Sequence, residues 1–324
     1  MPIISVIIPI YKVESFIKRC AISLMEQTLQ DVEYIFVDDC SPDQSIFKLR
    51  DVLKQYPQRC VKIVSHEKNQ GLPAARNTGM QCASGKYIFH CDSDDFLEKN
   101  ALELLVESAE QNNADVVWSD WFLSFEHNER YMKQSNYATA GEALQGVLMG
   151  TMKYNVWNKL VRRLLYLDNH IQFPSGHSMG EDMTMIRLMA CAQRVSYVPK
   201  ALYHYVKMNG EAFTNQITED KLQDVEYNTK ETVQFLVQRF GEKFNKEIIC
   251  FKLNVKYPLL ISNNKKMYQK WNDWFSEVNS YIWKNPTSSF RSKVLQMFAL
   301  KRQFWLLRLY YNCVYRLIYG FIYR

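Results

Sequence analysis

The chain has no glycine-rich phosphate loop, no paired cysteines and no long apolar run, and each absence removes a class of function. No Gly-x-Gly-x-x-Gly follows the first hydrophobic segment, and no Gly-x-x-x-x-Gly-Lys-Ser/Thr occurs anywhere. A Rossmann dinucleotide site and a P-loop are both disfavoured. The eight cysteines, at 20, 40, 60, 82, 91, 191, 250 and 313, form no Cys-x-x-Cys pair and have no histidine cluster beside them. Neither a zinc site nor a disulfide framework is expected. With 11 glycines, 9 prolines and no low-complexity tract, collagen, coiled coil and intrinsic disorder are excluded. No apolar stretch reaches the roughly 18 residues of a membrane-spanning helix. The opening run MPIISVIIPIYK lacks a basic leader and is broken by Pro9, so it reads as a strand rather than a signal. A reducing cytoplasm is the expected compartment.

Acidic residues are missing in one place. After Glu277 there are none, while Lys284, Arg291, Lys293, Lys301, Arg302, Arg308, Arg316 and Arg324 supply eight cations. The first 277 residues hold 32 basic against 34 acidic groups, so the net +6 of the 324-residue chain resides in its tail. A near-neutral body with a basic tail argues against a general nucleic-acid binder and for a tail that meets an anionic surface. Within KRQFWLLRLYYNCVYRLIYGFIYR (301–324), Arg308, Asn312 and Arg316 form a polar stripe on an otherwise aromatic and aliphatic helix. Such a helix fits the headgroup region of an anionic leaflet, peripheral at the inner face of the cell membrane; packing on the body or on a second subunit is the alternative.

What is present, at 47% hydrophobic and 23% charged, suffices for a sizeable core. Strand and helix patterns alternate: strands over 4–10, 32–39, 61–65, 86–92 and 115–120, helices over 14–29, 44–56, 72–83 and 100–112. That alternation predicts an α/β fold with a mostly parallel sheet and helices on both faces. Ligands of such sheets bind outside the carboxyl ends of the strands. Three of those ends are polar or acidic: Pro9–Tyr11, Asp38–Asp39 and Asp92–Asp95. In His90-Cys91-Asp92-Ser93-Asp94-Asp95, three carboxylates within four residues repel one another unless a cation sits among them. Hard oxygen ligands suit Mg²⁺ or Mn²⁺, with a substrate phosphate completing the shell. The plainer reading is a helix cap, which accounts for one aspartate and not three.

The stretches VIIPIYKVESFIKRCAISLMEQTLQDVEYIFVDDCSPDQS and NQGLPAARNTGMQCASGKYIFHCDSDDFLEKNAL closely resemble the N-terminal half of glycosyltransferase family 2. The resemblance is specific over 3–112, weaker over 150–215 in VWNKLVRRLLY, GEDMTMIRL and LYHYVKMNGEAFT, and slight beyond 220. It implies a GT-A type, Rossmann-like sheet and an inverting, metal-dependent transferase using a nucleotide sugar. Two positions depart from the family pattern: Lys12 stands where Asn is usual, and Cys40 where Gly is. By resemblance, Pro9 and Tyr11 flank the nucleobase, and Asp39 accepts a hydrogen bond from the imide nitrogen of uracil, a donor cytosine and adenine lack. Arg76 lies near the base and ribose, with Asn69 and Gly71 in the loop beneath. Asp92 and Ser93 face the ribose side, and Asp94 binds the metal with Asp92. Asp182 of Gly180-Glu181-Asp182 matches the family base, and Glu181 contacts the acceptor; helix capping is the bland alternative. Trp157 and Lys159 resemble the acceptor-lining segment, a core tryptophan being the alternative. His204 resembles a histidine that some members use near the metal, a structural histidine being equally open. Lys207 replaces a more usual arginine.

The resulting expectation is a GT-A catalytic domain over 1–215, divided into a nucleotide-sugar half (1–112) and an acceptor half (113–215). A helical accessory region (216–290) and a basic aromatic tail (291–324) follow. The expected activity moves a hexose or N-acetylhexosamine from a UDP-sugar to a glycan or lipid-linked acceptor in surface polysaccharide synthesis, with no nucleic-acid partner and homodimerisation open. Rival classes are a sugar-1-phosphate nucleotidyltransferase, which should open on a glycine-rich triphosphate loop, and a catalytically silent interaction protein.

Overall fold

The computed structural model describes residues 2–207 and 218–314. The chain forms two compact units, one of residues 1–144 with 153–236 and one of 145–152 with 237–324. The division after the sheet falls at 236/237 rather than at 215.

The first unit carries strands β1 (Ile4–Ile10), β2 (Val32–Asp38), β3 (Cys60–Ser65), β4 (Tyr87–His90), β5 (Phe96–Leu97), β6 (Val116–Ser124), β7 (Glu129–Met132), β8 (Lys159–Arg162) and β9 (Val195–Val206). Its helices include α1 (Ile17–Met25), α2 (Ser45–Leu53), α3 (Leu72–Cys82) and α4 (Ala101–Gln111). Further on come α6 (Arg163–Asp168) and α7 (Thr184–Cys191), while α5 (Ala140–Met149) and α8 (Glu219–Phe240) each run across a unit boundary. The sheet order is β3-β2-β1-β4-β8-β6-β9-β5, with β7 on β6. β1 pairs in parallel with both β2 and β4, and β6 with β9, whereas β8, β5 and β7 run antiparallel to their neighbours. The expected mostly parallel α/β sheet is therefore present. The strands β7, β8 and β9 lie beyond the alternating segment, and the two-residue β5 falls inside it between the expected fourth strand and fourth helix.

Alternation along β1 sends Ile4, Val6, Ile8 and Ile10 into one core with Leu24 of α1, Leu49 of α2 and Leu105 of α4. On the opposite face Gly79 of α3 lies against Ile7. Helices thus cover both faces, which is why the strands read as continuous apolar runs. A charge is buried within β2: Glu33, 1% exposed. Its Oε1 accepts from Ser5 Oγ (2.6 Å), Ser84 N (2.6 Å), Ser84 Oγ (2.8 Å) and Gly85 N (3.1 Å), and its Oε2 from Lys62 Nζ (2.9 Å). Burial opposes its ionisation, but the donors from Ser5, Lys62 and Ser84 prevail and lower its pKa to about 2.

The second unit holds α9 (Asn245–Lys256), α10 (Lys265–Asp273), α11 (Phe290–Leu300) and α12 (Phe304–Tyr310). They pack around Phe251, Tyr268, Trp271, Leu295 and Leu307. Lys256 is buried there, its Nζ donating to the carbonyl oxygens of Trp271 (3.2 Å) and Trp274 (2.8 Å) and to Asn279 Oδ1. The tail is not one continuous helix over its described part. α11 stops at Leu300, Arg302 turns the chain at φ 55°, and α12 buries Leu307 while leaving Trp305 and Leu309 65% and 54% exposed. Arg316 and residues 315–324 lie outside the described residues, as do 208–217, which include part of the LYHYVKMNGEAFT segment.

Candidate active site

The parallel strands β2, β1 and β4 end side by side, and the chain's winding reverses between β1 and β4, the crevice where α/β sheets take ligands. Pro9 is buried near the end of β1, and Tyr11, just past it, is 42% exposed. The two departures from the family pattern sit at unusual backbone positions: Lys12 has φ 54° and Cys40 φ 56°. Glycine and asparagine enter that region most readily. The turns hold because Lys12 N donates to Ser41 Oγ (2.9 Å) and Ser41 N to Asp38 Oδ1 (2.9 Å).

Asp39 is 3% exposed and organises the loop after β3. Its Oδ1 accepts from Gln70 N (2.8 Å) and meets His66 Nδ1 (2.7 Å); its Oδ2 accepts from Gly71 N (2.8 Å). Asn69 Nδ2 donates to the Asp39 carbonyl oxygen (3.3 Å). A carboxylate offers about four acceptor positions. Three are engaged, leaving one on Oδ2. Gly71 has φ 87°, a conformation that costs glycine nothing, and opens α3 with Pro73 in its first turn.

Among the three clustered aspartates the roles differ. Asp95 is buried and satisfied by protein: Tyr203 Oη donates to its Oδ2 (2.7 Å) and Val206 N to its Oδ1 (2.8 Å). Burial, with Asp94 and Asp92 close by, pushes its carboxyl well above the usual range. The repulsion that called for a cation is thus relieved at Asp95 by β9. Asp92 and Asp94 remain half-buried beside the buried Ser93. Neither aspartate caps a helix.

Arg76, expected beside base and ribose, lies 1% exposed on α3, its Nη2 donating to Asp92 Oδ1 (3.0 Å). Among the described residues its Nε and Nη1 have no hydrogen-bond partner. Burial disfavours its charge, but Asp92, Asp182 and Glu181 outweigh that and raise its pKa. Residues 76, 92, 181 and 182 are therefore one electrostatic cluster. Glu181 and Asp182 form a short 3-10 turn ahead of α7, entered through Gly180 at φ 81°, and neither side chain caps it. Burial raises both carboxyls' pKa values; Arg76 opposes the shift in each, and Lys159 and a Val156 backbone hydrogen bond oppose it at Asp182.

Polar contacts that were not anticipated hold the loop carrying this pair. Asn77 exchanges two hydrogen bonds with Phe173: its Nδ2 donates to Phe173 O (2.8 Å), and its Oδ1 accepts from Phe173 N (2.9 Å). Asp224 of α8 receives Ser178 N (3.1 Å) and faces His177 Nδ1 (2.9 Å), and Asn228 Nδ2 donates to Met179 O (2.7 Å). His66 was missed although a polar residue at a strand's carboxyl end is the signal that selected the other ends. Tyr203, Asp224 and Asn228 have no local signal.

Three expected site residues are placed elsewhere. The indole of Trp157 is 5% exposed and stacks on Tyr203 and Tyr205, with ring centroids 4.6 and 5.3 Å away, which makes it a core residue. Lys159 is 1% exposed and directs its Nζ to Lys153 O (2.8 Å), Asn155 O (2.8 Å) and Asn158 Oδ1 (2.9 Å). An ammonium has three donors, so none is left for an acceptor. His204 stacks between Phe96 and Phe122, and its nitrogens meet Glu98 (2.9 Å) and Glu129 (2.7 Å). Neither nitrogen is open to a metal. Among the described residues no group of three His, Cys, Asp or Glu is arranged to hold a metal by itself. The donor set that fits a hard cation is the pair Asp92 and Asp94, which leaves room for substrate oxygens. Lys207 lies over the Tyr205 ring at 4.9 Å.

A family model described as Glycosyl transferase family 2 matches residues 5–186. EpsJ of Bacillus subtilis (strain 168), named as an uncharacterized glycosyltransferase, is 33% identical over 214 residues, covering 63% of this chain and 61% of the relative. This chain spans about three-fifths of the length of the curated relatives it matches first. The crystal structure of S. aureus TarS 1-349 superposes with a TM-score of 0.69 at 19% identity, covering 96% of this chain and 91% of the other. The same segment in complex with UDP-GlcNAc gives 0.64 at 19%, covering 96% and 92%. The mannosyltransferase PcManGT from Pyrobaculum calidifontis, in complex with GDP-Man and Mn²⁺, gives 0.53 at 14%, covering 94% and 87%. At those identities the likeness is one of fold. With the family model matched over residues 5–186, the chain belongs to glycosyl transferase family 2.

Proposed function

We propose that this protein is an inverting glycosyltransferase that moves a hexose or N-acetylhexosamine from a UDP-sugar to a hydroxyl of a glycan or lipid-linked acceptor in surface polysaccharide synthesis. In this reading residues 1–112 hold the donor and 113–215 the acceptor. The observation that carries it is the cluster of Arg76, Asp92, Glu181 and Asp182 in the crevice of a family 2 chain. Tyr11 and Pro9 border the base, and the remaining acceptor position of Asp39 suits the imide N–H of uracil. Asp94 and Asp92 would hold a Mn²⁺ or Mg²⁺ ion, which supplies charge neutralisation on the departing diphosphate. Arg76 keeps Asp92 oriented and balances the acidic pair. The acceptor oxygen attacks the anomeric carbon as the bond to the diphosphate oxygen breaks, and its proton passes to Asp182. The raised proton affinity of that carboxyl suits the task, and Glu181 beside it orients the acceptor.

A panel of nucleotide sugars assayed for slow hydrolysis with Mn²⁺ tests the reading, with hydrolysis of a UDP-sugar expected. Asp182→Asn should keep UDP binding while turnover falls about 10²- to 10⁴-fold. A variant with more than about a tenth of wild-type turnover would move the base to another group.

A membrane role for the second unit is favoured by its exposed aromatics. Trp283 and Phe290, with rings 6.1 Å apart, are 52% and 75% exposed, and Trp305 is 65% exposed, in a stretch without any acidic residue. Apolar anchors among cations suit an anionic bilayer surface. Among the described residues no helix is long and apolar enough to cross a membrane.

A further inference from the structure

We propose that Asn228 of α8 is a positioning residue for the Glu181-Asp182 turn, holding the end of the loop before it by two hydrogen bonds to the backbone. This rests on the reading of Asp182 as the base. Residues 169–180 form neither helix nor strand, and Gly176 and Gly180 within them adopt φ values of 85° and 81°. Glycine enters that region freely but is not confined to it. The segment's own sequence therefore leaves the approach to the acidic pair undetermined, and contacts from outside must settle it. At the root of the loop these are the two hydrogen bonds between Asn77 and Phe173. At its far end they come from α8, which lies outside residues 5–186 matched by the family model.

Asn228 is 2% exposed, and its Nδ2 donates to Met179 O (2.7 Å) and His177 O (3.4 Å). Both protons of the amide are thus spent on the loop. One turn earlier, Asp224 accepts from Ser178 N (3.1 Å) and meets His177 Nδ1 (2.9 Å), while the Tyr227 ring stacks on the His177 imidazole with centroids 3.8 Å apart. One residue later, the buried Thr229 gives its hydroxyl proton to Val225 O (2.7 Å), and its oxygen lies 3.7 Å from Met183 Sδ. The helix therefore reaches the chain on both sides of the pair, at Met179 before it and Met183 after it. Met183 N donates to Gly180 O (2.9 Å), closing the turn that carries both carboxyl groups. The fit is close: a Cβ at Gly180 would lie 3.5 Å from Asn228 Cβ and 3.2 Å from Met183 Cε. An apolar side chain could fill the same space, but only a donor fixes a carbonyl in direction, because apolar burial is non-directional.

The test is Asn228→Leu, which keeps the bulk of the side chain and removes its donors. Mn²⁺-dependent hydrolysis of a UDP-sugar should lose about 10- to 10²-fold in kcat, the scale of a misplacement of about 1 Å, with UDP affinity unchanged. In the Asp182→Asn background the same substitution should cost no further turnover, because a group acting through Asp182 has nothing left to position. Losses that multiply in the double variant, or a lower thermal midpoint with kcat intact, overturn the proposal. Amide hydrogen exchange gives a readout free of catalysis: residues 174–186 should exchange about tenfold faster in Asn228→Leu while β6 stays protected. Unchanged exchange in that segment also overturns it. Should Asn228→Leu fail to fold, Asn228→Ala removes the same donors without crowding the loop, and the same outcomes apply. Turnover near wild type in Asp182→Asn alone would instead refute the base assignment itself, so the two failures are distinguishable.

Discussion

Protonating Glu33 should loosen the parallel half of the sheet, and the size of the effect follows from its surroundings. The carboxylate draws donors from Ser5 on β1, Lys62 on β3 and the Ser84–Gly85 turn that leads into β4, so one side chain ties all four parallel strands. Its pKa falls from an ordinary 4.5 to about 2 on folding. A depressed carboxylate contributes stability that is present above the unfolded pKa and lost as pH falls toward the folded one. At about 1.36 kcal/mol per unit, the contribution is about 3 kcal/mol at pH 7 and about half that at pH 3. Against a total of about 5–15 kcal/mol this is substantial. Urea unfolding followed by far-UV circular dichroism, run on wild type and Glu33→Gln between pH 7 and 3, isolates it, because the other carboxylates titrate in both proteins. The gap between the two should shrink by about half across that range. A gap that stays constant would show that Glu33 is not ionised in the folded sheet and refute the reasoning.

Three further outcomes are expected. Asp94→Ala should abolish transfer and the Mn²⁺ dependence of UDP binding together, at a cost of about 10³-fold or more in rate; UDP binding that remains equally metal-dependent removes Asp94 from the metal site. Cys40→Gly should raise stability by about 1 kcal/mol, read as a higher thermal midpoint, because Cys40 occupies a left-handed conformation at φ 56°. Replacing Trp283, Phe290 and Trp305 with serine should release the protein from anionic liposomes while UDP binding persists, since all three are largely exposed; retained liposome binding argues against a membrane face.

Local periodicity made the first half legible. β1 to β4 and α1 to α4 fall where apolar runs and amphipathic stripes predict them, because each is buried on a face that its own spacing declares. β5, with two residues, and β8, with four, are too short to carry a pattern, and their existence depends on β9 and β4 pairing from far away. The site divided along the same line. The aspartates at the strand ends announced themselves by charge density, yet nothing near Asp95 says that Tyr203 and Val206, more than a hundred residues on, will satisfy it. Trp157, Lys159 and His204 carry the residue types of a binding surface but turn inward, where stacking and carbonyl oxygens claim them. Residue type announces chemistry; only long-range packing decides which groups stay open to perform it.

The adjacency of Arg76 and Asn77 on α3 has a mechanical meaning. One side chain grips Asp92 at the donor end of the crevice, and the next grips Phe173 at the root of the loop that bears Glu181 and Asp182. In the proposed reading a single helical turn would thus work as a gauge block between leaving group and base. A rigid-body displacement of α3 would carry both contacts together, because the two side chains are neighbours on one helix. Exchanging the loop's sequence to suit another acceptor alters what is gripped but not the length of the gauge. A fold built in this way can change its substrates without having to relearn the spacing on which the displacement depends.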